Sequence, residues 1–282
     1  MVRRRDFVAA LALCVGAPML PTLAFGQRNK LAAFDALLQR AIDNEDLIGA
    51  GRGLRERQIQ EYDYYISKAA APRIARSSRP ISERAIKLIV SFEVTNEQAY
   101  GKKYQGVTWP KGASGVTIGI GYDVGYVTTA WLHEDWDGLM EAGQAALLEK
   151  ACSITGERAD ALLGQLKSIN IPWTPAYQQF RERTVPLYVA ETISALPNCD
   201  KLSDDSLGAL VSLVYNRGAS FQNTGSRYQE MRAIRQSMAQ GRFKDIPDEL
   251  RTMKRIWAGN PSMKGLLVRR DLEAKLFEAG LA

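Results

Sequence analysis

The chain has 282 residues, 46% hydrophobic and 24% charged, with a formal net charge of +6. That composition supplies one or two domains with sizeable cores, and it excludes a disordered, collagen-like or polytopic chain. No lysine or arginine stripe interleaves with aromatics in a recognisable module, so nucleic acid is not an expected partner.

Residues 1–26 stand apart. Arg3, Arg4 and Arg5 precede an apolar run from Phe7 to Leu13, followed by Pro18, Pro21 and the small-residue ending Ala24-Phe25-Gly26. A charged start, a short apolar core and such an ending predict an export signal, too short to span a membrane as a helix. Arg4-Arg5-Asp6-Phe7-Val8 resembles the twin-arginine signature, which implies export of a folded protein and a periplasmic or secreted location. Cys14 follows Leu13, which is too large for the residue before a lipidated cysteine, so no stable membrane anchor is expected after signal removal. Loss of residues 1–26 removes three arginines and one aspartate and leaves +4, a mild basicity suited to an anionic polymer. Cys152 and Cys199 remain, either as a disulfide or as two separate buried thiols.

Residues 27–80 read as a helical N-terminal segment or linker with two helical patches, Lys30–Asp43 and Arg55–Ala70. Ala71-Pro72 and Ser77-Ser78-Arg79-Pro80 form a boundary before the main domain, 81–282. The segment either packs on that domain or tethers it.

The main domain opens with ISERAIKLIVSFEV, Ile81 to Val94. Ile86, Ile89 and Val90 recur on one helical face, and the next member of the series is Glu93. A carboxyl on a buried stripe is either paired or favoured in its protonated form by desolvation. A Gly- and aromatic-rich stretch follows, Tyr100 to Tyr126. Val116, Ile118, Ile120 and Tyr122 alternate with Thr117, Gly119 and Gly121, which predicts one strand with an apolar face and a nearly bare one. Tyr100, Tyr104, Trp109, Tyr122, Tyr126, Trp131 and Trp136 crowd a short span, and their rings suit either core packing or sugar faces. From Thr128 onward helical patterns follow one another between Pro and Gly breakers. One short β region among many helices predicts an α+β fold, predominantly α, with a cleft between a small β lobe and a larger helical lobe.

Several chemistries drop out. The single histidine, His133, lies in a polar stretch and reads as a surface residue; no G-x-S-x-G elbow accompanies it. One histidine and two distant cysteines give no metal-ligand spacing, so no metal is expected. In GIGYDVG the third glycine of a dinucleotide fingerprint is replaced by Val124, no phosphate loop occurs, and no cofactor is expected. Carboxylate chemistry beside aromatics is what survives.

Three pieces, in order, resemble the phage-type lysozymes (muramidases), including the pesticin-like branch. They are Ser91-Phe92-Glu93 with Tyr100 and Val116-Thr117-Ile118-Gly119-Ile120-Gly121-Tyr122; Ala209 to Gly218 with its Asn216-Arg217-Gly218 ending; and Gly265-Leu266-Leu267-Val268-Arg269-Arg270-Asp271-Leu272-Glu273. Together they span about Ile81 to Gly280. The resemblance implies a lysozyme-like fold that cleaves the β-1,4 bond between N-acetylmuramic acid and N-acetylglucosamine in peptidoglycan glycan strands. It carries the general acid onto Glu93 and a water-positioning hydroxyl onto Thr117.

The family's usual acid, or sometimes cysteine, between Glu and Thr is missing, because Tyr100 to Val116 holds Lys102, Lys103 and Lys111 and neither residue type. Asp123 is the substitute, as a base for water in an inverting mechanism with carboxyls about 6.5–9.5 Å apart; its plainer role is a turn residue before Val124-Gly125. Glu97 is a weaker candidate. Tyr100, Trp109, Tyr122 and Asn216 are the expected substrate-binding residues, although Asn216 and Gly218 equally suit the end of a buried helix. Arg269, Arg270 and Glu273 have the spacing of intrahelical ion pairs and receive no catalytic role. A monomer is expected. The alternatives are a lytic transglycosylase or chitin-type glycosidase using the same Glu93, and an inactive lysozyme-like module that only binds cell wall.

Overall fold

A computed structural model describes residues 25–44, 47–48 and 73–281. The expected export signal lies outside these residues except for its last two positions, and the predicted helix Arg55–Ala70 lies outside them entirely. Helix α1 (Phe25–Ile42) comes first, and an irregular strap at residues 73–80 leads into α2 (Glu83–Val94) and α3 (Glu97–Lys103). Two strands follow, β1 (Thr117–Ile118) and β2 (Tyr122–Asp123), then α4 (Thr129–Trp136), α5 (Ala142–Leu148) and α6 (Glu157–Leu166). Helix α7 (Trp173–Gln179) runs through a π-helical turn (Phe180–Thr184) into α8 (Val185–Ala195). The chain closes with α9 (Asp204–Arg217), α10 (Gln229–Gln240), α11 (Ile246–Thr252) and α12 (Lys264–Gly280). The protein is predominantly helical with a small two-stranded antiparallel sheet.

The core is built around α9, which is buried at every position from Ser206 to Arg217 and packs against α12, α2 and α8. Ser203 starts it by accepting the Ser206 N–H at 3.2 Å, and Asp204 and Asp205 complement the positive end of the helix. Gly218, at φ 72°, ends it, as expected for the Asn216 to Gly218 segment. Close packing of α9 on α2 depends on Gly208, where a Cβ would lie 2.3 Å from that of Ala85.

Of the N-terminal segment, helix α1 and residues 73–80 pack on the domain. Leu31, Phe34, Leu38 and Ala41 form one buried stripe of α1. That stripe joins the common core, with Gln27 Nε2 donating to the Ala279 carbonyl and Arg84 pairing with Asp35. The π-helical turn precedes Pro186, which has no N–H to give the turn before it. The strap lies against this helix: Arg76 Nε donates to the Arg183 carbonyl at 3.3 Å, and the Ser77 N–H donates to that of Pro186 at 3.0 Å.

The single alternating strand expected at Val116–Tyr122 is corrected. The segment is a hairpin whose strands pair Thr117 with Asp123 and Ile118 with Tyr122 around the turn Gly119-Ile120-Gly121. Gly119 (φ 56°) and Gly121 (φ 70°) supply the backbone reversal, a conformation that side chains with a Cβ rarely adopt. Cys152 and Cys199 are both free thiols. Burial pushes the Cys199 thiol up to about 11. No helix among the described residues is long and apolar enough to cross a membrane.

Candidate active site

Helix α2 brings Glu93 to the centre of the molecule. Ser82 caps its start by accepting the Ala85 N–H at 3.2 Å; Ile86, Ile89 and Val90 are buried; and the helix ends at Thr95, where φ is 69°. Glu93 follows Phe92 in the last turn, and its side chain is only 8% exposed.

The carboxyl is paired. Arg269 Nη1 of α12 lies 3.3 Å from Oε1, and the guanidinium packs 5.5 Å from the centroid of the Phe92 ring. Oε2 faces the hairpin: a Cβ on Gly121 would lie 3.0 Å from it and 3.0 Å from the Tyr215 hydroxyl oxygen. Tyr215 in turn donates to the Ile120 carbonyl at 2.8 Å, tying the turn to α9. Gly121 is therefore required twice, for its φ and for the close approach of backbone to carboxyl.

Arg269 is 1% exposed and belongs to a balanced cluster of two cations and two anions: Arg269, Arg270, Glu93 and Glu273. Glu273 Oε1 accepts from Arg270 at 2.7 Å, from the Ser212 hydroxyl at 2.8 Å and from Arg269 at 3.4 Å. Arg269 Nη2 also donates to the Ser212 carbonyl at 3.1 Å. The charges of the cluster cancel, while Glu273 Oε2 has no hydrogen-bond partner among the described residues; losing one member leaves an uncompensated charge. The intrahelical pairs expected from α12 are present, but Arg269 additionally reaches Glu93, 176 positions away. Sequence spacing within one helix gives no sign of that contact; the occurrence of Arg269 in the same family-like motif set as Glu93 is the signal that was there.

Thr117 starts β1, bridges to Thr108 through two backbone hydrogen bonds and stands opposite Asp123 across the hairpin. Its hydroxyl is buried with no hydrogen-bond partner among the described residues. Asp123 shares the face of Thr117 as expected, by cross-strand pairing rather than along one strand. Both its oxygens accept backbone N–H: Gly115 at 3.0 and 3.2 Å, and Gly125 at 2.9 Å. The carboxylate thereby pins two glycines so close that a Cβ on Gly115 would lie 2.3 Å from the Gly125 Cα.

Two expected substrate-binding rings are core residues. Tyr100 is 0% exposed, donates its hydroxyl to the Ile171 carbonyl at 2.8 Å and meets Trp173 edge-on. Tyr122 is buried, donates to Asp135 at 2.7 Å and meets Trp136 edge-on. Burial, then the neighbouring Asp135, holds the Tyr122 phenol well above its usual titration range, so it stays a donor. Neither ring has a free face for a sugar, which corrects both expectations; amphipathic rings fill a core as readily as they line a cleft.

Trp109 is half-buried and donates to the Ser114 carbonyl at 3.0 Å. Asn216 accepts from Arg270 at 3.2 Å and so joins the charge cluster at the end of α9. Glu97 is exposed in the first turn of α3. His133 sits at the surface with Nε2 2.7 Å from Glu149. Among the described residues no group of His, Cys, Asp and Glu has the arrangement of a metal site.

No protein-family model matches the chain, and no curated protein matches it.

Proposed function

We propose that the protein is a lysozyme-like glycoside hydrolase acting on peptidoglycan, cleaving the β-1,4 bond between N-acetylmuramic acid and N-acetylglucosamine after export to the periplasm or beyond. The observation that carries this reading is a nearly buried glutamate whose two oxygens face different surroundings, Oε1 toward Arg269 and Oε2 toward the glycine turn of a hairpin. Glycoside hydrolysis needs a carboxylic acid beside the leaving oxygen, and Glu93 Oε2, the oxygen turned away from Arg269, is our candidate for that role. Thr117, whose buried hydroxyl has no hydrogen-bond partner among the described residues, is the residue the resemblance offers for positioning water. Half-buried Trp109 is the remaining candidate for contact with the glycan strand, since Asn216 is buried and held by Arg270.

A lytic transglycosylase is the second reading, and Asp123 favours it. A carboxylate whose oxygens already bind Gly115 and Gly125 is a poorer base for water, whereas attack by the sugar's own hydroxyl needs no second carboxylate. Digestion of purified peptidoglycan with residues 27–282, followed by mass analysis of the fragments, separates the readings. Hydrolysis gives reducing ends, transglycosylation gives anhydro ends, and binding without release of fragments would overturn both in favour of a wall-binding module.

A further inference from the structure

Asp135, on α4, takes no part in the chemistry described above, yet it is 1% exposed and is met by two arginines of the strap and a hydroxyl of the hairpin. Oδ2 accepts from Arg73 at 2.5 Å and from the Tyr122 hydroxyl at 2.7 Å, and Oδ1 accepts from Arg76 at 2.6 Å. Glu134, the preceding residue, takes the Nη1 atoms of the same two arginines at 3.5 and 2.8 Å. Three parts of the protein thus converge on one carboxylate: the strap, α4 and the hairpin.

The hairpin connections lead toward Glu93. Tyr122 is covalently next to Gly121, which lies against Glu93 Oε2. Trp136, adjacent to Asp135, stacks edge-on against Tyr122 and lies 3.0 Å from where a Cβ on Gly119 would be. Arg76 also binds the Arg183 carbonyl in the π-helical turn, tying the strap to the helical body. Two strands of two residues have too few ladder bonds to hold a hairpin in place, so side-chain anchors must fix where its turn lies.

We propose that Asp135 is a positioning residue for the Glu93 site. Held by Arg73 and Arg76, it anchors Tyr122 and keeps the turn Gly119-Ile120-Gly121 against the Glu93 carboxyl, so the strap preceding the main domain is a working part of the site. The catalytic consequence rests on the glycosidase reading; the anchoring does not.

Tyr122→Phe removes one hydroxyl and leaves Asp135 with both arginines, so the fold persists. Amide hydrogen exchange of residues 115–126 and of α9 is measured beside kcat and KM for fragment release from peptidoglycan. The expected result is hairpin exchange accelerated about 10-fold with α9 unchanged, kcat lowered about 10-fold through misplacement of the turn, and KM within about 2-fold of the parent. Asp135→Asn, which keeps an acceptor for Tyr122 but loses the charge that holds Arg73 and Arg76, is expected to accelerate hairpin exchange as well. Unchanged hairpin exchange in both variants would overturn the proposal, as would accelerated exchange with an unchanged kcat. If the parent protein releases nothing, the glycosidase reading fails, while the exchange data still decide whether Asp135 anchors the hairpin.

Discussion

The helical body and the hairpin meet at Glu93, but they are held by different means. In the body, α9 is enclosed by α2, α8 and α12, and a balanced cluster of Arg269, Arg270, Glu93 and Glu273 is buried between helices. In the hairpin, isolated side chains grip backbone: Asp123 on Gly115 and Gly125, Tyr126 on the Ala113 carbonyl and Trp109 on that of Ser114. Buried area and charge balance stabilise the first region; in the second a few directed hydrogen bonds add to the burial of Val116, Ile118, Ile120, Tyr122 and Val124. A glutamate between them takes its base from α2 and a wall from the turn.

If that contrast is right, damage to the body costs folding and damage to the hairpin costs geometry. The largest effect is expected for Arg269→Met, which leaves two buried carboxylates sharing one cation. A loss of about 3–5 kcal/mol is expected in denaturant melts, and a loss under about 1 kcal/mol would contradict the cluster's structural role. Gly208→Val follows, because its branched side chain would force α9 away from Ala85; overpacking of this kind costs about 1–3 kcal/mol, read as a lowered melting temperature.

On the hairpin side, Asp123→Asn keeps one acceptor and loses the charge, so a cost of about 1–2 kcal/mol is expected. Retained peptidoglycan cleavage in this variant would assign Asp123 to the turn, and its loss with an intact fold would assign it to catalysis. The smallest effect concerns the thiols. Cys199 is buried and ionises only near about 11, so at pH 8 a thiol reagent is expected to modify half-buried Cys152 first. Equal rates would indicate a looser body than described. An unfolded thiol ionises about 2 units lower than Cys199 does in the fold, so this group binds its proton more tightly when folded. Its contribution to stability is complete below the lower value and declines as pH rises between the two.

Periodicity made the helical region readable. The stripe through Ile86, Ile89, Val90 and Glu93, the buried run ending at Asn216 to Gly218 and the helix Lys30–Asp43 all follow from apolar spacing and end signals, and they are found within a few residues of where the sequence places them. The hairpin misled for a physical reason. Alternation from Val116 to Tyr122 satisfies the pattern of one strand equally well, and only the positive φ of Gly119 and Gly121 turns it into two. Tyr100 and Tyr122 read as ligand-binding rings because composition does not reveal which side of a wall a ring faces. The Arg269–Glu93 contact and the Asp135 node join residues far apart in the chain, and no local spacing encodes such pairings.

The most direct test of the account is release of reducing or anhydro ends from purified peptidoglycan by residues 27–282, set against Glu93→Gln, with melting temperature measured on both. Glu93→Gln keeps the side-chain volume and an acceptor for Arg269. The account predicts cleavage by the parent protein, a loss of at least about 100-fold in the variant and a lowered but still cooperative melt, because Gln keeps a hydrogen-bond partner for Arg269 while leaving its charge uncompensated. Equal cleavage by the two proteins would contradict the assignment of Glu93 as the acid that breaks the glycosidic bond.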